Sequence, residues 1–246
     1  MNDSNFYSHL TELRKRTLFS CFFVFLFSIF IFLKSPFFID LLGQEFRSNF
    51  INSDLIGKSP IDAFLVRLKV SFFLGFLISL PIILFEAWEF IKPGLKENER
   101  KYVFYFITLG SILGIGGALF CHILILPFAL KFFYSQYELL SLKPIIHFND
   151  YITLLIKLDL TFALIFELPI ILVILAKINL IDSNFLKKYF RHAIVMIFTL
   201  AAILTPPDII TQVLMALPLI VLYGLSILLV RILVKWNNII NFSNNI

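Results

Sequence analysis

The sequence predicts an all-α integral membrane protein that crosses the bilayer six times. Hydrophobic residues fill 59% of its 246 positions and charged residues only 15%, and its mean hydropathy is +0.92. Soluble domains average about 45–50% apolar and about 25% charged residues, and one core cannot bury the excess. The apolar residues form long runs without strand-type alternation, so the membrane-spanning elements are expected to be helices.

The predicted transmembrane helices are the runs in which charged side chains are absent or rare. A helix rises about 1.5 Å per residue, so about 20 residues cross a hydrocarbon core of about 30 Å. We predict one domain over residues 1–246, with spans at 17–33, 69–91, 102–130, 150–178, 192–207 and 209–230.

Polar or proline-containing stretches separate these spans. Residues 34–68 and 131–149 are expected to be loops, the first with one or two short surface helices. Pro93-Gly94 opens a short basic loop, and residues 179–191 form a second one. Consecutive prolines in Thr205-Pro206-Pro207-Asp208 stop a helix, so they separate the fifth span from the sixth.

Basic residues are divided unequally between the two sides that this topology defines. One side carries thirteen of the 21 lysines and arginines and the other seven, with Lys157 inside a span. The thirteen are Arg14, Lys15, Arg16, Lys92, Lys96, Arg100, Lys101, Lys177, Lys187, Lys188, Arg191, Arg231 and Lys235, and the seven are Lys34, Arg47, Lys58, Arg67, Lys69, Lys131 and Lys143. Cytoplasmic loops are enriched in Lys and Arg, so the thirteen-residue side, which includes both termini, is predicted to be cytoplasmic. The same rule accounts for the net charge of +5 without nucleic-acid binding.

The sequence contains no pattern that indicates an enzyme. HExxH, GxSxG and glycine-rich phosphate-binding motifs are absent, and the four histidines lie in different segments. Cys21 and Cys121 lie in apolar runs, which favours small buried or lipid-facing side chains over a disulfide or a metal pair. We therefore expect no catalytic site, no cofactor and no metal.

Three polar residues inside the spans have ordinary structural explanations. His122 lies deep in the third span, where an interhelical hydrogen bond is favoured over metal ligation. Lys157 and Asp159 are expected nearer the outer surface, where their side chains can extend towards water.

Two carboxylates are embedded among basic residues shortly before a span. Glu12 lies in Thr11-Glu12-Leu13-Arg14-Lys15-Arg16, before the first span, and Glu99 lies in Lys96-Glu97-Asn98-Glu99-Arg100-Lys101, before the third. Such carboxylates can bind the guanidinium groups of an incoming peptide through pairs of hydrogen bonds. The alternative is that Glu12 and Glu99 form ordinary surface pairs with neighbours such as Arg16 and Lys96.

Glu167 lies well inside an apolar helix, in Phe166-Glu167-Leu168-Pro169, where an ionised group is costly. Pro169 also weakens the local helix and frees a backbone carbonyl. Glu167 is therefore a candidate proton or ion site, or a polar group facing a water-filled concavity. The alternative is a buried hydrogen bond to Gln212 or Thr205.

The order of these motifs resembles the TatC family, the multi-spanning receptor subunits of the twin-arginine protein translocase. The resemblance covers about residues 8–235. It rests on Ser8-His9-Leu10-Thr11-Glu12-Leu13-Arg14-Lys15-Arg16, Pro93-Gly94-Leu95 with Glu99-Arg100, Phe166-Glu167-Leu168-Pro169, and Thr205-Pro206-Pro207-Asp208 with Gln212. His122 is a departure, because a tyrosine is common at this position in the family.

The resemblance implies a receptor rather than an enzyme. It implies a curved, glove-shaped bundle of six helices that binds folded cargo through a twin-arginine signal peptide. By matching position, Glu12 and Glu99 correspond to the signal-binding carboxylates, with Arg14 and Phe90 beside them.

The resemblance also implies partners within the membrane. Glu167 corresponds to the polar residue of the concave face, and Gln212, with Thr205 beside it in the same motif region, corresponds to a region of partner contact. TatA- and TatB-like single-span proteins would be recruited there, the complex would self-associate, and the proton-motive force would drive transport. The expected location is the bacterial inner (plasma) membrane, with an organellar membrane as the alternative.

Two other classes of membrane protein are alternatives to a receptor, and each would need a different sequence pattern. A proton-coupled transporter would use Glu167 as its proton carrier, and its sequence would be expected to show repeat symmetry or paired broken helices. An intramembrane enzyme would need a nucleophile with a base, or a set of metal ligands. The sequence shows neither pattern.

Overall fold

A computed structural model describes residues 3–49, 55–92, 103–142, 145–178, 180–204 and 209–243. These residues are almost entirely helical, which confirms the predicted all-α class. The helices are α1 (Asp3–Asn49), α2 (Asp62–Ile91), α3 (Val103–Phe120), α4 (Leu126–Leu139), α5 (Phe148–Ile165), α6 (Leu168–Lys177), α7 (Ser183–Lys188), α8 (Phe190–Leu204) and α9 (Ile209–Ser243).

Within the described residues, five helical segments are long and apolar enough to cross a membrane, and α8 is a shorter apolar helix. The five segments are His9–Gly43, Asp62–Ile91, Val103–Leu139, Phe148–Lys177 and Ile209–Ile232. Together with α8 they correspond in order to the six predicted spans.

The first helix corrects the prediction of a loop at residues 34–68, because α1 is helical through Asn49 and contains Pro36. Pro36 has no backbone N–H, so the Phe32 carbonyl four residues earlier loses its helical donor. The Ser35 hydroxyl donates to that carbonyl at 2.8 Å, and the Arg67 guanidinium donates to it at 3.4 Å. These donors replace the missing hydrogen bond and keep the helix continuous.

Two further loop predictions are also corrected. Helix α4 continues to Leu139, and the basic loop at 179–191 contains the short helix α7. The segment before α2 includes a two-residue strand, Leu55–Ile56, which pairs in parallel with Ile146–His147. Two residues are too few to produce a periodic pattern in the sequence.

The third span contains a π-helical turn at Cys121–Ile125, between α3 and α4. The Leu126 N–H donates to the Cys121 carbonyl, five residues earlier. Pro127 follows and cannot donate, and a π-turn is a usual way for a helix to accommodate such a disruption.

The fourth span is not one continuous helix. It breaks at Phe166–Glu167 into α5 and α6, where the Glu167 N–H donates to the Leu164 carbonyl at 3.2 Å. Pro169 stands in the first turn of α6, a position at which a proline is tolerated. The break places Glu167 at a helix junction inside the bundle.

Helices α1 and α2 form the most extensive contact, and α2, α3 and α5 pack against one another beside it. The largest group of buried side chains joins α2, the π-helical turn, α5, α8 and α9. The α1–α2 crossing is close at Gly75, where a Cβ would lie 2.7 Å from the Ser28 backbone nitrogen and 2.9 Å from its Cα.

We expect Gly75→Ala to destabilise the protein, because the added methyl would meet the α1 backbone at Ser28 as well as the Ser28 hydroxyl, and the backbone cannot move aside as a side chain can. Overpacking of this kind costs about 1–3 kcal/mol. Gly116→Ala is the matched control, since no described atom lies within 4 Å of its Cβ position, and in a helix Ala is favoured over Gly by about 0.5–1 kcal/mol. Thermal unfolding of both variants in detergent checks this; equal melting temperatures would contradict the close crossing.

Candidate functional site

A cluster of charged side chains joins α1 and α2 at one end of the bundle. The Arg16 guanidinium donates to Oε1 of Glu12 through Nε at 3.0 Å and Nη2 at 2.7 Å. Its third nitrogen, Nη1, donates to Oε2 of Glu86 at 3.2 Å. Glu12 and Arg16 are four residues apart and so lie on one face of α1. The surface-pair alternative for Glu12 is therefore realised in the structure, and Glu86 is an additional partner.

The same end of the bundle contains the two other described residues expected at the signal-binding site. Phe90 is half-buried, and its ring contacts His9 edge to face, with 6.5 Å between the centroids. Arg14 is exposed. Because α1 and α2 run in opposite directions here, His9 faces Phe90 and Arg16 faces Glu86.

A cavity of about 580 Å³ opens beside the charged cluster. It is lined by Glu12, Lys15, Arg16, Leu18, Phe19, Phe22 and Glu86. The cavity therefore offers carboxylates beside apolar surface, and its volume falls within the range of about 300–1,000 Å³ that small-ligand sites occupy.

Two predicted site residues, Glu99 and Thr205, lie outside the described residues. The proposed pair Glu99–Lys96 and the loop that begins at Pro93 also lie outside them. Their roles remain predictions from the sequence.

Glu167 is buried in the middle of the bundle, with 5% of its surface exposed. Neither carboxylate oxygen has a hydrogen-bond partner among the described residues. A Cβ at Gly110 would lie 2.9 Å from Oε2, and a Cβ at Gly114 would lie 2.6 Å from Oε1. The two glycines on α3 therefore make room for the carboxylate.

Gln212 is not the partner of Glu167. Its Nε2 donates to the Phe198 carbonyl at 3.0 Å and so ties α9 to α8. The alternative of a Glu167–Gln212 hydrogen bond is therefore wrong, and the alternative with Thr205 falls outside the described residues.

His122 and Asp159 form a polar contact between the third and fourth spans. Nδ1 of His122 lies 3.0 Å from Oδ2 of Asp159. The predicted interhelical hydrogen bond of His122 is confirmed. The prediction that Asp159 extends towards the outer water is wrong, because Asp159 is only 2% exposed. Lys157 on the same helix is exposed.

Sequence reasoning missed two acids of this arrangement, Glu86 as the second acceptor for Arg16 and Asp159 as the partner of His122. Each acid lies within an apolar run. That position could have predicted a partner inside the protein, because ionisable residues in a span usually face the protein interior and pair there.

These features define a class of protein: a helical, multi-spanning membrane protein with a carboxylate-bearing cavity at one end and a buried carboxylate between its helices. Residues 8–218 match the family model of the Sec-independent protein translocase protein, TatC. The chain is 38% identical to TatC of Campylobacter jejuni over 91% of its length and 92% of the relative. It is 40% identical to TatC of Helicobacter pylori, over 91% of this chain and 86% of the relative.

Solved structures agree with these relatives. A crystal structure of the twin-arginine translocase receptor TatC superimposes with a TM-score of 0.82 at 34% identity, covering 90% of this chain and 97% of the other. A second, of TatC in DDM, gives a TM-score of 0.84 at 33% identity, covering 91% and 99%. The chain therefore belongs to the TatC family, and its function is that of a twin-arginine translocase receptor subunit.

We expect Asp159→Leu to destabilise the fold, because it leaves the largely buried His122 without this acceptor. The loss should be about 1–3 kcal/mol. The double variant His122→Phe/Asp159→Leu should recover part of it, since neither polar group then remains. Lys157→Ala, on an exposed position of the same helix, is the control. Strictly additive losses in thermal unfolding would show that the contact contributes nothing.

Proposed function

We propose that this receptor binds twin-arginine signal peptides of folded cargo through Glu12 and Glu99, with Arg14 and Phe90 beside them. The observation that carries the proposal is that Glu12 already holds a guanidinium group, that of Arg16, through two N–H donors at 3.0 and 2.7 Å. Glu12 also lines the cavity at this end of the bundle, so a peptide side chain can approach it.

Partner recruitment belongs to a second surface in this proposal. The buried carboxylate of Glu167 would accept a hydrogen bond from a polar group on a TatA- or TatB-like single-span helix. Thr205 and Gln212 would contribute to the same contact region. The receptor would self-associate within the complex, and transport would draw on the proton-motive force without a catalytic site or cofactor in this chain.

The orientation proposed for the receptor follows from its charge distribution. The side with thirteen lysines and arginines, including both termini, would face the cytoplasm of a bacterial cell at the inner membrane. The Glu12 cavity would then be on the cytoplasmic side, where cargo is made.

The signal-binding proposal predicts that Glu12→Gln reduces affinity for a synthetic twin-arginine signal peptide at least tenfold, because a neutral amide lacks the charge that strengthens hydrogen bonds to guanidinium. Glu99→Gln should have a comparable effect. Glu138→Gln, which removes an exposed carboxylate from α4, is the control. Fluorescence anisotropy with the full chain in detergent measures the affinities. Wild-type affinity in both Glu12 and Glu99 variants would refute the proposal.

Glu167→Gln and Glu167→Leu separate the possible roles of the buried acid. If Glu167 accepts a hydrogen bond from a partner helix, Gln should support assembly and transport, whereas Leu should impair both. A proton carrier would fail in both variants. Signal-peptide affinity should stay unchanged in either case and serves as the internal control. Crosslinking to TatA- and TatB-like partners and export of a folded reporter provide the measurements; normal results for both variants would exclude a functional role.

A further inference from the structure

Arg16 occupies the carboxylate that the proposed function assigns to the signal peptide. Its Nε and Nη2 groups converge on Oε1 of Glu12, while Nη1 donates to Oε2 of Glu86 at 3.2 Å. One guanidinium is therefore shared between an acid on α1 and an acid on α2. A signal arginine that binds both carboxylate oxygens of Glu12 must displace Arg16 from Oε1.

We infer that Arg16 is a built-in competitor for the guanidinium of the signal peptide, and that Glu86 holds Arg16 when a signal arginine has taken Glu12. The inference rests on the proposed role of Glu12 in signal binding. It assigns to Arg16 and Glu86 a part in setting the affinity for the signal peptide rather than direct contact with it.

Glu12 is more exposed than Glu86, so an incoming side chain meets Glu12 first. The Glu12 side chain is 35% exposed, whereas the Glu86 side chain is only 13% exposed, with Arg16 between them at 23%. All three line the cavity of about 580 Å³. A peptide guanidinium entering the cavity therefore reaches Glu12 more readily than Glu86.

The second carboxylate makes the exchange possible without leaving a charge unpaired. After exchange, the signal arginine pairs with Glu12, and Arg16 keeps its contact with Glu86. Without Glu86, displaced Arg16 would be a partly buried cation with no carboxylate beside it, a costly state. Lys15 also lines the cavity but is exposed, so water continues to solvate its ammonium group.

Competition of this kind lowers the affinity of every ligand of Glu12 by the same factor, because each ligand must first displace the Arg16 guanidinium. The preference for arginine over lysine comes from the planar fork of donors, which an ammonium group cannot reproduce. Removing the competitor should therefore tighten the binding of a twin-arginine and of a twin-lysine peptide by similar factors.

The test measures binding of a twin-arginine peptide and its twin-lysine counterpart to the full chain in detergent. We expect Arg16→Gln to bind both peptides about threefold to tenfold more tightly, with the ratio of the two affinities unchanged. Glu86→Gln should bind both peptides more weakly, since Arg16 then has only Glu12. Lys15→Gln removes one positive charge from the same cavity without freeing Glu12, so its gain in affinity should be smaller than that of Arg16→Gln.

Glu12→Gln separates failure of this inference from failure of the proposed function. Normal peptide binding by Glu12→Gln would overturn this inference together with the role proposed for Glu12. Loss of binding in Glu12→Gln, together with wild-type affinity in Arg16→Gln, would overturn the competitor role alone. If Arg16→Gln unfolds, Arg16→Lys keeps the charge, loses the fork and should still bind the peptide more tightly than wild type; wild-type affinity in that variant would overturn the inference.

Discussion

The fold depends on one constraint: inside the bilayer, polar groups must find their partners within the protein because water is absent. The Phe32 carbonyl, which Pro36 deprives of a donor, is reached by Ser35 and Arg67. His122 and Asp159 meet between the third and fourth spans. Each solution joins neighbouring helices, since the guanidinium that reaches Phe32 comes from α2 and the histidine that reaches Asp159 comes from the π-helical turn. The hydrogen bonds that provide these polar groups with partners therefore also hold neighbouring helices together.

Glu167 stands apart from this pattern. Its carboxylate is buried, lacks a hydrogen-bond partner among the described residues, and occupies space that Gly110 and Gly114 leave open. Burying a carboxylate without a hydrogen bond lowers the stability of the fold, because the lost hydration is not replaced. The proposed function supplies a reason, because a partner helix would complete the missing hydrogen bonds. The buried carboxylate that lacks hydrogen-bond partners would then mark the place where another subunit binds.

The sequence was sufficient for the class of fold, because 59% hydrophobic content and charge-free runs leave few alternatives to membrane helices. It was not sufficient for the helix ends. Pro36 suggests a break when read locally, but Ser35 and, from α2, Arg67 donate to the carbonyl that Pro36 leaves without a donor, and α1 is continuous. At the candidate site, the four-residue spacing of Glu12 and Arg16 made their pairing foreseeable, whereas Glu86 and Asp159 depend on how helices pack. The sequence shows which residues are charged and whether they lie inside a span or near its end. The hydrogen-bond partner of each is known only once the packing of the helices is known.

The length of α8 has a consequence for the lipid around the protein. Its 15 residues span about 22 Å at about 1.5 Å per residue, against a hydrocarbon core of about 30 Å. Two prolines that cannot extend a helix follow shortly afterwards in the sequence. Lipid chains next to α8 must therefore compress, or headgroups must sink towards it, to cover a hydrophobic surface that is too short. On this side we expect the receptor to thin the bilayer, which would offer a folded cargo a thinner barrier beside one wall of the bundle.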